Sequence, residues 1–201
     1  MYFSFIILKE GITKMKNEIL YETKYLQLKQ TKAPNGEIWY YAHRPICKGA
    51  VIIAPVLHTQ KGDYLIFLET RRPPMYAEKK ADFCIEFPAG LLADIDKNET
   101  PKMAIKRELL EETGYKAKKI TITVPLVTSS AGLSSEISVF SIADIYDLKQ
   151  YQEPVSDGGI IVKRHKVHIT KVNSWLKKRQ KEGYAVSSSV YGVLYFLFQQ
   201  K

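Results

Sequence analysis

The chain has 201 residues, 45% of them hydrophobic, and 30 Lys and Arg against 21 Asp and Glu give a net charge of +9. That length and apolar content suit one sizeable core with a small appended element, and they exclude a repeat array or a low-complexity chain. The basic balance favours anionic small molecules, while lysines scattered along the chain argue against a nucleic-acid surface.

Two cysteines, Cys47 and Cys84, show neither metal spacing nor a disulfide framework, so a cytoplasmic protein is expected. Tyr191 to Phe198 is the nearest approach to a membrane span and is far too short. The opening YFSFIIL lacks a basic leader and a small-residue cleavage site, so it is not read as a signal peptide. It fits a buried strand, or residues ahead of a start at Met15, and the sequence leaves both open.

From Glu18 to His43 the alternation predicts a hairpin around Pro34-Asn35-Gly36. GAVIIAPVL (residues 49–57) is a near-continuous apolar strand, and DYLIFLE (63–69) is its expected partner across Gln60-Lys61-Gly62. Arg71-Arg72-Pro73-Pro74 breaks regularity, and Tyr76 to Asp82 reads as a charged loop. Phe83 to Phe87 is a strand leading into Pro88-Ala89-Gly90. Thr100 as N-cap, Pro101 at the first turn and Gly114 as stop predict a helix over Pro101 to Thr113. Strands are expected at Ile120 to Val127 and Ile137 to Ala143, separated by SSAGLSS. Asp147 to Gly159 reads as a loop and Ile160 to Ile169 as a further strand. Thr170 should cap a helix to Glu182, and a last helix from about Ser187 to Gln199 is apolar enough to be largely buried. Strands bracketing one helix, with others at the C-terminus, predict an α/β architecture with a mixed sheet between helices.

The helix over Pro101 to Thr113 carries the chemistry. At about 100° per residue, Glu108, Glu111 and Glu112 share an arc of about 100°, near a C-terminal end where the macrodipole disfavours negative charge. Two like charges about 5 Å apart cost on the order of 3 kcal/mol at an effective dielectric near 20. A solvated face accounts for such a cluster taken alone. A hard divalent cation accounts for it too, since carboxylates one turn apart supply oxygens from a rigid support.

The surrounding pattern favours the cation. Glu99 is followed by seven residues, then Arg107-Glu108-Leu109, one residue, Glu111-Glu112, one residue and Gly114-Tyr115. This resembles the Nudix box at every position from Glu99 onward. Upstream it departs: Gly90 and Glu99 are separated by eight residues rather than five, so the loop carries a polar insertion with Asp94, Asp96, Lys97 and Asn98. Beyond the box, Arg72-Pro73-Pro74 and IEFPAG are similar to the ADP-ribose pyrophosphatase (ADP-sugar) branch of that family, over roughly Glu18 to Ala143.

The resemblance implies a Nudix α/β/α sandwich at residues 47–201 and an N-terminal antiparallel β extension at 1–46 that serves dimerisation. It implies Mg²⁺, with Mn²⁺ as a substitute, bound by the Ala89 carbonyl, Glu108 and Glu112, with Glu111 as a third or outer ligand and these three glutamates as the catalytic set. Glu99 and Arg107 are implied as a bracing ion pair, with Gly90 and Gly114 as structural positions. Substrate contacts fall on Tyr25, Trp39, Arg44, Arg72, Glu86 and Leu133, the aromatics for an adenine and the arginines for phosphates. A buried Trp39–Tyr40 pair across strands is the alternative for the aromatics. Where the family commonly has a glutamate as general base, this chain has Gly159; Glu153 and Asp157 are the nearby carboxylates. The implied activity is hydrolysis of a nucleoside diphosphate sugar, foremost ADP-ribose to AMP and ribose 5-phosphate, by a homodimer. Another nucleotide sugar, or a module that binds such a ligand without turnover, stays open.

Overall fold

The computed structural model describes residues 15–146, 154 and 160–199. The chain divides into two compact units, Met1–Pro45 with Ser130–Ser135, and Ile46–Ser129 with Glu136–Lys201. No helix among the described residues is long and apolar enough to cross a membrane.

In the first unit, strands β1 (Asn17–Glu22), β2 (Gln27–Lys32) and β3 (Ile38–His43) form an antiparallel sheet. The expected hairpin is thus a three-stranded meander. Its first half breaks at Thr23, whose hydroxyl accepts from the N–H groups of Tyr25 at 3.2 Å and Leu26 at 2.9 Å. Such a side-chain turn leaves the apolar alternation intact and hides from it. Gly36, with φ 92°, closes the second turn where its conformation suits glycine. The 130–135 loop runs along β3: the Ala42 N–H donates to the Leu133 carbonyl at 2.8 Å, and the Ser135 N–H to the Ala42 carbonyl at 3.1 Å. Gln27 is the only buried residue of the three strands. A buried Trp39–Tyr40 pair is therefore overturned, since Trp39 is 49% and Tyr40 55% exposed. Neighbours in one strand point to opposite faces, and among the described residues side chains such as Trp39 and Tyr40 stay about half exposed on both.

The second unit is built on β4 (Gly49–Thr59). This strand runs parallel to β9 (Ser138–Ile145) and antiparallel to β5 (Gly62–Thr70) and β7 (Ala89–Leu92). The sheet continues through β6 (Cys84–Glu86) to the short β11 (Ala185–Val186), with β8 (Lys119–Val127) beside β9 and β10 (Ile161–His168) beside β5. Residues 49–57 are all buried, which explains the unbroken apolar run. Val51, Ile53 and Leu57 pack with Ala104, Ile105 and Leu109 of α2 (Pro101–Thr113). The alternate residues Ile52, Ala54 and Val56 pack with α3 (Val172–Lys181) and α4 (Ser188–Gln199) through Val172, Leu176, Val190 and Leu194. Period-two alternation on one strand thus builds two cores and an α/β/α sandwich.

Several expectations need correction. Arg72-Pro73-Pro74 opens a short helix, α1 (Pro73–Ala77), because a proline at the first helical position lacks only an N–H the helix does not use. The strand expected at Phe83 to Phe87 is β6, and it leads into a further strand that was not predicted: Ala89 starts β7, paired with Ile52. Thr170 does not cap α3; it lies in a 3-10 turn, Ile169–Lys171, its hydroxyl 2.8 Å from Nδ1 of His168. α4 is half-buried rather than engulfed, with Tyr191 44% and Tyr195 61% exposed.

His58, at the end of β4, ties three strands together. Its Nδ1 is 2.8 Å from Asp63 of β5 and its Nε2 2.9 Å from Asp144 of β9, with the ring stacked on Tyr146 at 4.3 Å. A neutral imidazole carries one N–H and serves one carboxylate; the imidazolium serves both. Burial alone would lower the His58 pKa, but the hydrogen bonds to Asp144 and Asp63 outweigh it and raise the value above the ordinary range. The stabilisation is therefore complete below about pH 6.5 and is lost as pH rises through the raised folded value. Thermal unfolding from about pH 6 to about pH 9 should show the wild-type midpoint falling relative to that of His58→Gln. Parallel curves for the two proteins would remove His58 as the titrating group.

Candidate active site

Helix α2 is defined by its ends. The Thr100 hydroxyl accepts from the Met103 N–H at 3.4 Å, and Gly114, with φ 78°, closes the other end by donating to the Leu110 carbonyl. Burial of Ala104, Ile105 and Leu109 fixes the rotation of the helix, so that Glu108 points inward and is only 8% exposed. Beneath it lies Gly90 of β7. A Cβ at Gly90 would sit 1.8 Å from the Glu108 carboxyl, so only glycine admits that side chain.

Arg107 gathers the box. Its Nε meets Glu99 at 2.9 Å, its Nη1 reaches Glu108 at 2.6 Å and Glu111 at 3.3 Å, and its Nη2 donates to the Leu91 carbonyl at 3.0 Å. Glu99 in turn accepts from the Ala93 N–H at 2.9 Å, across a backbone held at φ 62° by a non-glycine residue. The loop insertion is thereby closed onto the helix, with Lys97 donating to the carbonyls of Ile46 and Ala93. The Arg107 hydrogen bond holds the Glu99 carboxyl below its usual range. Glu108 is raised instead, because burial outweighs the neighbouring Arg107 charge.

Glu112 lies apart from this guanidinium. One carboxylate oxygen accepts from the Ala89 N–H at 2.9 Å, and burial pushes its pKa up to about 8. Nearby, Arg72 Nε is 2.7 Å from Glu86, which also accepts from the Thr70 hydroxyl at 2.8 Å. The carboxylates of Glu108 and Glu112 are thus held in a setting that penalises their charge, and a divalent cation beside them would reverse the penalty. Among the described residues, no three His, Cys, Asp or Glu side chains converge tightly enough to cage an ion as they stand. The donor chemistry nonetheless fits Mg²⁺, which is commonly held by one or two carboxylates, waters and substrate phosphates rather than by a closed protein cage.

The second unit brings together Ala89, Gly90, Glu99, Arg107, Glu108, Glu111, Glu112, Gly114, Arg72 and Glu86. Tyr25, Trp39, Arg44 and Leu133 belong to the first. Glu153, Asp157 and Gly159 lie outside the described residues. One neighbour of the box has no signal in the sequence. Arg164 on β10 donates from Nε to the Glu112 carbonyl at 2.5 Å, across a separation of 52 residues that local pattern does not register.

Glutamine in place of Glu99 tests the bracing, because it removes the charge and leaves one acceptor oxygen where two serve Arg107 and the Ala93 N–H. Glu99→Gln should destabilise the protein by about 2 kcal/mol in urea unfolding, less than the 3–5 typical of fully buried pairs because Glu108 and Glu111 remain. A change within about 0.5 kcal/mol would mean that the insertion holds its shape without the ion pair.

The NUDIX domain model matches residues 48–154, just over half of the chain. An ADP-sugar pyrophosphatase of Mus musculus is 35% identical over 127 residues, 59% of this chain and 54% of its own length. An ADP-ribose pyrophosphatase of Bacillus subtilis is 30% identical over 128 residues, 64% of this chain and 63% of its own length. The chain thus spans between about half and two thirds of these relatives. Among solved structures, an ADP compounds hydrolase aligns with a TM-score of 0.63 at 15% identity, covering 95% of this chain and 96% of that one. The NUDIX domain of Shewanella oneidensis NrtR, complexed with ADP ribose, aligns with a TM-score of 0.53 at 12% identity, covering 76% and 87%. Both structures share the fold. With the domain model spanning the box helix, its loop and the sheet that carries them, the chain belongs to the Nudix family.

Proposed function

We propose that this chain is a divalent-metal-dependent pyrophosphohydrolase acting on a nucleoside diphosphate sugar, foremost ADP-ribose, which it splits into AMP and ribose 5-phosphate. The observation that carries the reading is the buried Glu108 and the half-buried Glu112 on one helix, beside the Ala89 backbone and the Arg72–Glu86 pair. The mouse and Bacillus relatives, by their names, act on ADP-sugars and ADP-ribose.

In this reading Glu108, Glu112 and the Ala89 carbonyl hold Mg²⁺ or Mn²⁺, with Glu111 outermost. A cation held by these residues would supply charge compensation for the diphosphate and Lewis-acid activation of water. The chain itself positions the substrate. Arg72 is anchored through Nε by Glu86, which presents the far side of its guanidinium to a phosphate. Gly90 keeps the floor beneath Glu108 clear. Arg107, satisfied by carboxylates and a carbonyl, braces and does not react.

Base recognition is assigned to the first unit, through Tyr25, Trp39, Arg44 and Leu133. Of these four, Trp39 lines a cavity of about 410 Å³ in that unit, with Tyr41, Asn17, Thr31 and Gly132, a setting with aromatic faces and polar edges; Tyr25, Arg44 and Leu133 lie outside its lining. The bare three-stranded sheet is proposed to pair with a second copy, because Ile19, Leu20, Tyr21, Leu28 and Tyr40 are all at least 43% exposed. The unpaired thiols of Cys47 and Cys84 suit a reducing, cytoplasmic setting.

Purified protein with Mg²⁺ should release AMP from ADP-ribose, and chelation should stop it. Glu112→Gln should lower kcat by about 10²-fold or more. Failure to cleave any of ADP-ribose, other ADP-sugars, UDP-sugars and GDP-sugars would defeat the enzymatic reading. Tight ADP-ribose binding in calorimetry without product would favour a binding module, the reading that Gly159 supports. Light scattering should give twice the monomer mass, and a monomer at micromolar concentration would remove the paired sheet.

A further inference from the structure

Helix α2 ends with carbonyls that have no partner within the helix, at the same turn that carries Glu111 and Glu112. One of them, the Glu112 carbonyl, accepts from Nε of Arg164 at 2.5 Å. Arg164 lies on β10 directly opposite Leu68 of β5, and Leu68 lies opposite Glu86 of β6. The three residues form one row across the sheet, with Glu86, the anchor of Arg72, at one end and Arg164 at the other. Strand neighbours sit about 5 Å apart, so Arg164 and Glu86 stand in one row with a single strand, β5, between them.

We propose that Arg164 is a positioning residue for the metal-binding end of α2. It acts in two ways. A charge-assisted hydrogen bond to the Glu112 backbone fixes the residue whose side chain turns toward Ala89. Its positive charge also complements the negative end of the macrodipole at the turn where the glutamates cluster. The side chain comes from the strand that follows the 147–159 segment, so β10 supports the box from outside it. Arg107 cannot do this, because its nitrogens are engaged by Glu99, Glu108, Glu111 and Leu91 at the other flank of the helix.

This inference rests on the metal-dependent reading, and its test separates the two. Mn²⁺ is titrated into the full-length protein without substrate, followed by calorimetry, for wild type, Arg164→Ala, Arg164→Gln and Arg164→Lys. The alanine variant should bind Mn²⁺ about 10-fold more weakly, glutamine about 3-fold, and lysine, which keeps charge and donor, within about 2-fold. Unfolding without metal shows whether Arg164→Ala is folded, and the graded lysine and glutamine variants keep the comparison readable if alanine is not. Equal Mn²⁺ affinity in wild type and Arg164→Gln, or no rescue by lysine, would overturn the positioning role. A wild type that binds Mn²⁺ but cleaves no nucleotide sugar defeats the proposed substrate and leaves this role to be judged on the affinities alone. A wild type that binds no Mn²⁺ overturns it.

Discussion

The acidic end of α2 depends on one guanidinium. Glu99, Glu108 and Glu111 all direct oxygens at Arg107, and the Leu91 carbonyl occupies a further donor position. Without that charge, carboxylates one turn apart and partly out of water would repel one another or take up protons. With it, Glu108 can be buried, the loop insertion is pulled closed through Glu99, and Glu112 stays separate, facing the Ala89 backbone. The bracing and the proposed chemistry are thus divided among neighbouring residues. Arg107 serves the carboxylates of Glu99, Glu108 and Glu111, and Glu112 stays outside its reach with oxygens that a cation can use.

That arrangement rests on a platform. β4 is buried on both faces, so the rotation of α2 is set by Val51 and Ile53 below it, while α3 and α4 seal the opposite face. Gly90 belongs to the same platform, since β7 pairs with β4 and brings a residue without a side chain beneath Glu108. At the far end of the strand, His58 links β4, β5 and β9 through two carboxylates. The sheet is therefore held both by apolar packing and by a charged clasp, and the two respond differently to pH.

The first unit is built by other means. Its strands bury one residue among them and carry tyrosines and a tryptophan outward on both faces. A sheet so bare gains little from its own burial, and its aromatic surface is the kind that ligands or a second copy cover. Substrate choice and assembly are proposed for this unit, whereas the metal and the diphosphate are assigned to the second.

Much of this was legible in the sequence, and the reason is locality. The ends of α2 were readable because Thr100, Pro101 and Gly114 act within one turn of themselves, and the Glu99-to-Gly114 spacing places its carboxylates by helical geometry alone. β4 was readable because burial on both faces forces an unbroken apolar run. Where the sequence misled, a side chain or a long-range partner decided. Thr23 turned an alternating stretch into two strands, and pairing with β4 made a strand of Ala89–Leu92. The alternative of a buried Trp39–Tyr40 pair fails, because Trp39 and Tyr40 are both about half exposed. The sequence by itself determined that Glu108, Glu111 and Glu112 share one helix and one side of it. Only the tertiary structure decided that Glu108 is buried over Gly90, that Glu112 turns to Ala89, and that Arg164 closes the helix end. Those contacts span 18, 23 and 52 residues, and close only when the sheet brings distant strands beneath one helix.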